Sequence, residues 1–386
     1  MSLRSFRGKG GVEMEQLIMR PRIYAFDTCR EFASAFDLGR EDLVLTNRFL
    51  YEPYFSQLGL EVHTIYQEAY GTGEPSDVMV ERILKDAGEI GPYRRIIAIG
   101  GGTVIDIAKA MAVAEPGDCL DDLYDAMPNL ERRHELVIIP TTCGTGSEMT
   151  NISVMNRTRM GTKMGLVGEA MYAGSAVLIP ELLQGLPFGV FATSSIDALV
   201  HAVESALSPH ATPYTRLFSY RAIEMIIRGY QTIAEAGPES RQSLLGSFLT
   251  ASNYAGIAFG TAGCGTVHAM AYPLGGQYHV AHGESNYAVF TGVMKTYMER
   301  SPGGELQHLN SVLAELLQCG QEEVYERLEE LLNHILPKKR LREYGVQPED
   351  LGPFARSVME NQQRLLKNSL IPVSAELIEG IYRSLY

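Results

Sequence analysis

The sequence predicts two domains, an α/β unit followed by an all-helical one, and three observations lead there. The chain has 386 residues, more than one hydrophobic core usually serves. From residue 22 to about 180, short β-rich runs alternate with amphipathic helical patterns. From about residue 190 to 386 no strand pattern appears, only apolar positions at helical spacing.

The first 20 residues contain MSLRSFRGKGGVEMEQ, basic side chains with no apolar run behind them, so they read as a disordered leader and not a secretory signal. The α/β domain follows over 21–187. Its candidate strands are 43–46, 62–66, 96–99, 136–139 and 176–179, continuous apolar runs of the kind expected when helices cover both faces of a parallel sheet. SDVMVERILKDAG supplies an amphipathic helix among them. Gly and Pro in LLQGLPFG punctuate the change of character, and the helical domain is taken as 188–386, with RLFSYRAIEMIIRGYQTIAEA and LNSVLAELLQC as clear helical stretches.

Composition excludes several classes. A chain 45% hydrophobic and 20% charged has a soluble globular balance, and no apolar run reaches the roughly 18 residues that a membrane span needs. A net charge of -13 argues against a nucleic-acid surface, which requires clustered Lys and Arg, and means that an anionic substrate needs a local basic group. The five cysteines, Cys29, Cys119, Cys143, Cys264 and Cys319, are widely spaced without a CxxC pair. That pattern suits a reducing cytoplasm and neither a disulfide framework nor a cysteine zinc site.

Two loops suggest phosphate and cofactor binding. The strand RRIIAIG runs into Gly100, Gly101, Gly102 and Thr103, and VIDIAKAMAVA then reads as a helix. A helix start of this kind offers free N–H groups and a positive dipole end to a pyrophosphate. The spacing is not GxGxxG, and a plain tight turn explains the glycines too. Asp106 and Lys109 read as structural residues of that helix. After LVIIP come Thr141, Thr142, Cys143, Gly144, Thr145, Gly146, Ser147 and Glu148, hydroxyls and glycines at the carboxyl edge of a parallel sheet, where such folds bind ligands. The plainer reading is a polar loop with Ser147 as a helix cap.

The densest signal is HAMAYPLGGQYHVAH, residues 268–282, which holds three of the nine histidines. Helical spacing in GTVHAMAY turns His268 inward, PLGG is expected to end that helix, and His282 returns beyond the turn. Upstream, SSIDALVHAVESA places Asp197 and His201 four apart on one helix face. Three imidazoles and a carboxylate suit a divalent cation. A surface Asp/His pair and hydrogen-bonded core histidines are the alternative.

The segments GGGTVIDIAKAMA, PTTCGTGSEMTNISV, SSIDALVHAVES and AGIAFGTAGCGTVHAMAYPLGGQYHVAHGESN resemble the signature segments of the iron-containing, group III alcohol dehydrogenases, and the resemblance runs from about Tyr24 to the final IYRSLY. Within that family, YGTGEPSD, SNYAGIAFG, PLGGQYHVAHGESNY and LREYG are most similar to 4-hydroxybutyrate dehydrogenases. The resemblance implies a Rossmann-like N-terminal domain and an all-α C-terminal domain, an architecture shared with dehydroquinate synthases. It implies NAD, with NADP not excluded, and Fe(II), alternatively Zn(II), in the cleft between the domains. It also implies a homodimer or larger homo-oligomer. By motif match the metal ligands are Asp197, His201, His268 and His282; Gly101, Gly102 and Thr103 hold the pyrophosphate; Thr141, Thr142, Thr145 and Ser147 line the nicotinamide side; and Lys163 lies near the ribose.

Three positions depart from the family pattern. Asn47 stands where an Asp usually bonds the ribose 2'-hydroxyl and repels a 2'-phosphate, so rejection of NADP is open. Tyr272 stands where a further His is common, and Cys143 where Ala is common. The expected reaction is hydride transfer between a nicotinamide and a small alcohol or aldehyde, with 4-hydroxybutyrate and succinic semialdehyde as the expected pair. Tyr272 or His279 is expected to pass the proton, and Asn151, Phe259, Tyr272 and His279 to line the substrate pocket. No residue is identified for the substrate carboxylate. The competing readings are a polyol dehydrogenase, a dehydroquinate synthase-like lyase and a metal-stabilised scaffold without turnover.

Overall fold

Parallel strand pairing builds the first half. The computed structural model describes residues 15–127, 129–160 and 162–386. Strands β1 (Arg22–Ala25), β2 (Asp42–Thr46), β3 (His63–Tyr66), β4 (Arg95–Gly100), β5 (Glu135–Pro140) and β8 (Ser175–Leu178) form one sheet in the order β1-β8-β5-β4-β2-β3. Every pair in it is parallel. Between β5 and β8 the chain makes an antiparallel hairpin of β6 (Ile152–Arg157) and β7 (Thr162–Val167). The helices of this half are α1 (Cys29–Ala35), α2 (Arg48–Tyr54), α3 (Asp77–Ile90), α4 (Gly102–Met111) and α5 (Leu120–Asp125).

The second half is helical: α6 (Phe188–Leu207), α7 (Pro213–Ala236), α8 (Leu245–Ala262), α9 (Thr266–Tyr278), α10 (His282–Arg300), α11 (Gly304–Leu317), α12 (Val324–Ile335), α13 (Leu351–Asn361), α14 (Gln363–Leu366) and α15 (Ala375–Leu385). Among the described residues no helix is long and apolar enough to cross a membrane.

Alternation along the strands sets two cores. Leu43, Leu45, Ile96, Ala98, Leu136 and Ile138 face one side and pack with α3 and α4. Val44, Ile97, Ile99, Val137 and Ile139 face the other, in a core that runs on through Phe191, Ile196 and Leu199 of α6 into the helical half. The two halves therefore share apolar packing. They also touch through glycines: a Cβ on Gly146, which sits at φ 54, would lie 2.5 Å from the Gly256 Cα of α8. Only residues without side chains allow the threonine loop to approach α8 so closely.

The structure differs from the sequence reading in four places. β1 was not expected, because RIYA is short and largely exposed and so carries no apolar run. The β6–β7 hairpin was not expected either, since its buried positions Ser153 and Arg157 are polar. The segment PLGG does not end the helix that carries His268. That helix, α9, continues through Pro273 and both glycines to Tyr278, and the chain turns at His279, which adopts φ 54. Of the expected leader, residues 1–14 lie outside the described residues. Residues beyond them are held against the helical half: Thr212 Oγ1 donates to the Gln16 carbonyl at 2.6 Å, and the Ile18 N–H donates to Thr261 Oγ1 at 2.9 Å.

Topology places a binding crevice. The chain leaves β2 outward to β3 and returns past it to β4, so the carboxyl ends of β2 and β4 flank a switch point of the kind where open α/β sheets bind ligands.

Candidate active site

The glycine turn closes β4 and opens α4. A Cβ on Gly100 would lie 2.5 Å from the Val104 Cβ, so the turn tolerates no side chain there. Gly101 caps the helix and Gly102 begins it. The threonine loop lies directly opposite: a Cβ on Gly101 would be 3.5 Å from Thr142 Cγ2, and one on Gly102 3.3 Å from Thr145 Cγ2. Thr103 Oγ1 donates to the Gly73 carbonyl at 2.9 Å, tying the start of α4 to the segment before α3.

Buried polar groups brace this pair of loops. Lys109 Nζ donates to Ser147 Oγ at 2.7 Å, to Thr150 Oγ1 at 2.9 Å and to the Ile152 carbonyl at 2.7 Å. Asp106 accepts from Ser147 Oγ at 3.2 Å and from the Val154 N–H at 2.9 Å. Burial pushes the Asp106 carboxyl up to about 6 and the Lys109 ammonium down to about 8, each partly offset by the other's charge. The two residues act as the structural members that the sequence suggested. The Ser147 hydroxyl is already committed to both.

The Asp/His group comes from three helices. Asp197 and His201 lie on α6, His268 on α9, and His282 at the first position of α10. One ligand atom from each of the four lies within 4.8 Å of the others. Asp197 Oδ1 is 3.6 Å from His268 Nε2 and 3.7 Å from His282 Nε2. Ligands held by bonds of ~2.1 Å in tetrahedral array stand about 3.4 Å apart, so the four side chains are spaced for one cation.

Their surroundings fit a metal too. His268 Nε2 is buried without a hydrogen-bond partner among the described residues, while its Nδ1 donates to Glu204 Oε2 at 2.6 Å. A carboxylate behind a histidine fixes the tautomer that presents Nε2 to a metal. The His201 Nδ1 lies 3.2 Å from the Gly144 carbonyl, and the ring stacks on Phe259 with centroids 4.3 Å apart. Asn286 Nδ2 donates to Asp197 Oδ1 at 2.7 Å. Donors of this kind, imidazole with carboxylate, suit Fe(II) or Zn(II) better than Mg(II).

Charge is shared unevenly among the four side chains. Burial opposes ionisation of Asp197, yet the three imidazoles hold its carboxyl far below the usual range. Burial lowers His201 and His282. It would lower His268 as well, but the hydrogen bond to Glu204 and the negative charges of Asp197 and Glu204 outweigh burial and raise it to about 9. A raised imidazole stabilises the fold below its unfolded value near 6.5, and this contribution is lost as pH rises through about 9. A metal must displace that proton. Apparent metal affinity is therefore expected to rise by up to about tenfold per pH unit between 6.5 and 9. Chelator competition at several pH values measures it, and a flat profile would contradict the assignment of the proton to His268.

A cavity of about 330 Å³ joins the two features. Gly102, Thr103, Thr145, Ser147 and Lys163 line it together with all four candidate ligands, Phe259 and Tyr272. Tyr272 is a phenol kept protonated by burial. His279 does not line this cavity but an adjoining groove of about 1040 Å³, because the longer α9 carries it past the candidate ligands. Gly101, Thr141, Thr142 and Asn151 are absent from both linings. Asn151 lies instead at the foot of the hairpin, where its carbonyl accepts from the Gly168 N–H. Asn47 sits at the end of β2 outside the cavity, its amide donating to Gln67 Oε1 at 3.1 Å and Glu68 Oε2 at 3.0 Å. Cys143 is buried and its thiol is pushed up to about 12 by burial, as suits a packing residue.

The sequence reading missed Glu204, Asn286 and Glu74. Glu204 follows His201 by three and Asn286 follows His282 by four, spacings that turn each toward the Asp/His group, although the partners they bond, His268 and Asp197, lie on other helices. Glu74, which pairs with Lys163 at 2.5 Å, comes from a loop and carried none.

Comparison with known proteins gives the same picture. A family model described as iron-containing alcohol dehydrogenase matches residues 22–180, and its C-terminal counterpart matches 191–386. A 4-hydroxybutyrate dehydrogenase of Clostridium kluyveri is 48% identical over 373 residues, covering 97% of this chain and 100% of that relative. Among solved structures, an iron-containing alcohol dehydrogenase from Thermococcus thioreducens superposes with a TM-score of 0.82 at 25% identity over 96% of this chain and 99% of that one. A sulfoacetaldehyde reductase from Bifidobacterium kashiwanohense, solved with NAD+, has the same fold at a TM-score of 0.84 and 20% identity, over 97% and 99% of the two chains. Matched through both halves, and nearly half identical to a relative along that relative's whole length, the chain belongs to the iron-containing alcohol dehydrogenase family.

Proposed function

We propose that this alcohol dehydrogenase interconverts 4-hydroxybutyrate and succinic semialdehyde with NAD as hydride carrier and Fe(II) as resident metal. The observation that carries the reading is the single cavity that holds both the four metal-type donors and the helix start suited to phosphate. The likeness to the Clostridium kluyveri 4-hydroxybutyrate dehydrogenase supports 4-hydroxybutyrate as substrate, and oxidation of its hydroxyl carbon gives succinic semialdehyde.

An alcohol proton is far too weakly acidic to leave at neutral pH, and a divalent cation in the site supplies the electrophile that stabilises the alkoxide and polarises the aldehyde. Asp197, His201, His268 and His282 would hold that cation. Glu204 and Asn286 fix the orientation of two of these ligands. Phe259 keeps the His201 ring in place and makes one wall apolar. Gly101, Gly102 and the N–H groups opening α4 are suited to the cofactor pyrophosphate, and Thr145 and Lys163 to the nicotinamide and ribose side. Tyr272 lines the same cavity, which supports its O–H as the group that delivers or collects the proton at the substrate oxygen. His279, in the adjoining groove, would relay it outward.

Iron-loaded protein assayed anaerobically is expected to reduce succinic semialdehyde with a kcat/KM at least about tenfold above butyraldehyde, the scale of one charge-assisted contact. NADH should be preferred to NADPH. Equal kcat/KM for the two aldehydes would remove the substrate assignment, and a faster reaction with glycerol or propanediol would favour the polyol reading.

A further inference from the structure

The cavity has two cationic side chains on its wall, Lys163 and Arg364. Lys163 is answered by Glu74, 2.5 Å away. Of the other carboxylates lining the cavity, Asp197 belongs to the Asp/His group and Asp106 is occupied by Ser147 and the Val154 N–H. Among the described residues no carboxylate pairs with the Arg364 guanidinium. Arg364 is solvent-exposed where it lines the cavity, and a cation there without a carboxylate partner is the local basic group that this acidic chain otherwise lacks at the site.

Arg364 is held in register with the metal ligands although α14 is short. Leu365 beside it is buried. Asn368 Nδ2 donates to the Cys264 carbonyl at 2.9 Å, and Ser369 Oγ lies 2.7 Å from Thr266 Oγ1 at the start of α9. A Cβ on Gly263 would fall 2.4 Å from Asn368 Nδ2, so the chain before α9 is glycine where the α14 segment seats. His268 lies two residues beyond Thr266, so the element that carries Arg364 is fastened to the element that carries a metal ligand. The Arg364 charge also reaches the interior: burial raises the Tyr272 hydroxyl and the Cys264 thiol, and Arg364 acts against that rise at both.

We infer that Arg364 receives the far carboxylate of the substrate and so selects aldehydes and alcohols that end in a carboxylate over neutral ones of equal length. The inference rests on the ω-hydroxy acid reading above. With one end of the substrate at the Asp/His group and the other at Arg364, the chain length between them is set by the cavity. A planar guanidinium matches a carboxylate through two parallel hydrogen bonds, which a lysine does not reproduce.

The test compares wild type, Arg364→Gln and Arg364→Lys, all iron-loaded, on succinic semialdehyde and butyraldehyde at saturating NADH, with NADH varied in a second series. Arg364→Gln should lose about 30- to 100-fold in kcat/KM for succinic semialdehyde, mostly through KM, as expected for a lost charged hydrogen bond. Butyraldehyde should stay within about threefold, which also shows that the variant is folded. Arg364→Lys should recover part of the loss. A parallel fall on both aldehydes, or a raised KM for NADH, would make Arg364 a structural or cofactor-phosphate residue and overturn the inference. If wild type prefers succinic semialdehyde and Arg364→Gln keeps that preference, the Arg364 assignment alone fails. If wild type shows no preference, the ω-hydroxy acid reading fails and the inference with it.

Discussion

Asp197→Asn is expected to release the divalent cation and to lower turnover on the order of 10³-fold, the several kcal/mol that a metal supplies to a developing oxyanion. The substitution keeps the shape of the side chain and removes the one negative charge among three imidazoles. Asp197 is 3% exposed and accepts from Asn286, so an amide fits the space while presenting a much poorer donor to a metal. The measurement is metal content after dialysis, with kcat before and after reloading. One retained equivalent of iron and near-normal turnover would show that the four side chains do not share an ion. The same outcome would revive the reading of Asp197 and His201 as an ordinary helix-face pair.

Gly283→Ala should be the most disruptive single methyl in the helical half. Its Cβ would fall 1.9 Å from the Thr193 carbonyl oxygen and 3.2 Å from Asp197 Cβ. The obstacle is the backbone of α6, which no rotamer change can clear, so α10 must shift away from α6. The expected cost is about 3 kcal/mol of stability, the upper end for overpacking. Since His282 is the preceding residue, the shift should also carry that imidazole off Asp197 and weaken metal binding by at least about tenfold, as small misplacements around ligands do. Gly276→Ala is the comparison, because nothing lies within 4 Å of its Cβ position. Urea unfolding midpoints and metal affinity for both variants check this. Equal values for Gly283→Ala and wild type would mean that the close approach of α6 and α10 does not position the site.

Much of this was legible in the sequence, for identifiable reasons. The buried strands β2, β4 and β5 are continuous apolar runs because both of their faces are covered, so composition alone marks them. Spacing put Asp197 and His201 on one face, and the glycine turn and threonine loop announced themselves by residue type. Edges and polar interiors were the failures: β1 is exposed, and the β6–β7 hairpin buries Ser153 and Arg157, so neither carries the apolar signal that strand reading depends on. The proline and glycines of α9 suggested a stop, but packing of the buried Pro273 and Leu274 in the helical half holds the helix together past them.

Local sequence thus determined the buried strands, most of the helices, the glycine turn and the four donors, because helical period and residue chemistry are properties of neighbours along the chain. Tertiary structure alone decided which groups meet. Arg364 stands 96 residues from His268 and 167 from Asp197 in the chain, and only the seating of Asn368 and Ser369 against the start of α9 brings it to the cavity. The same holds for Glu74 with Lys163, and for the close pass of Gly283 against Thr193 that sets His282 beside Asp197. Such meetings depend on how helices pack, and no period or motif along the chain encodes them.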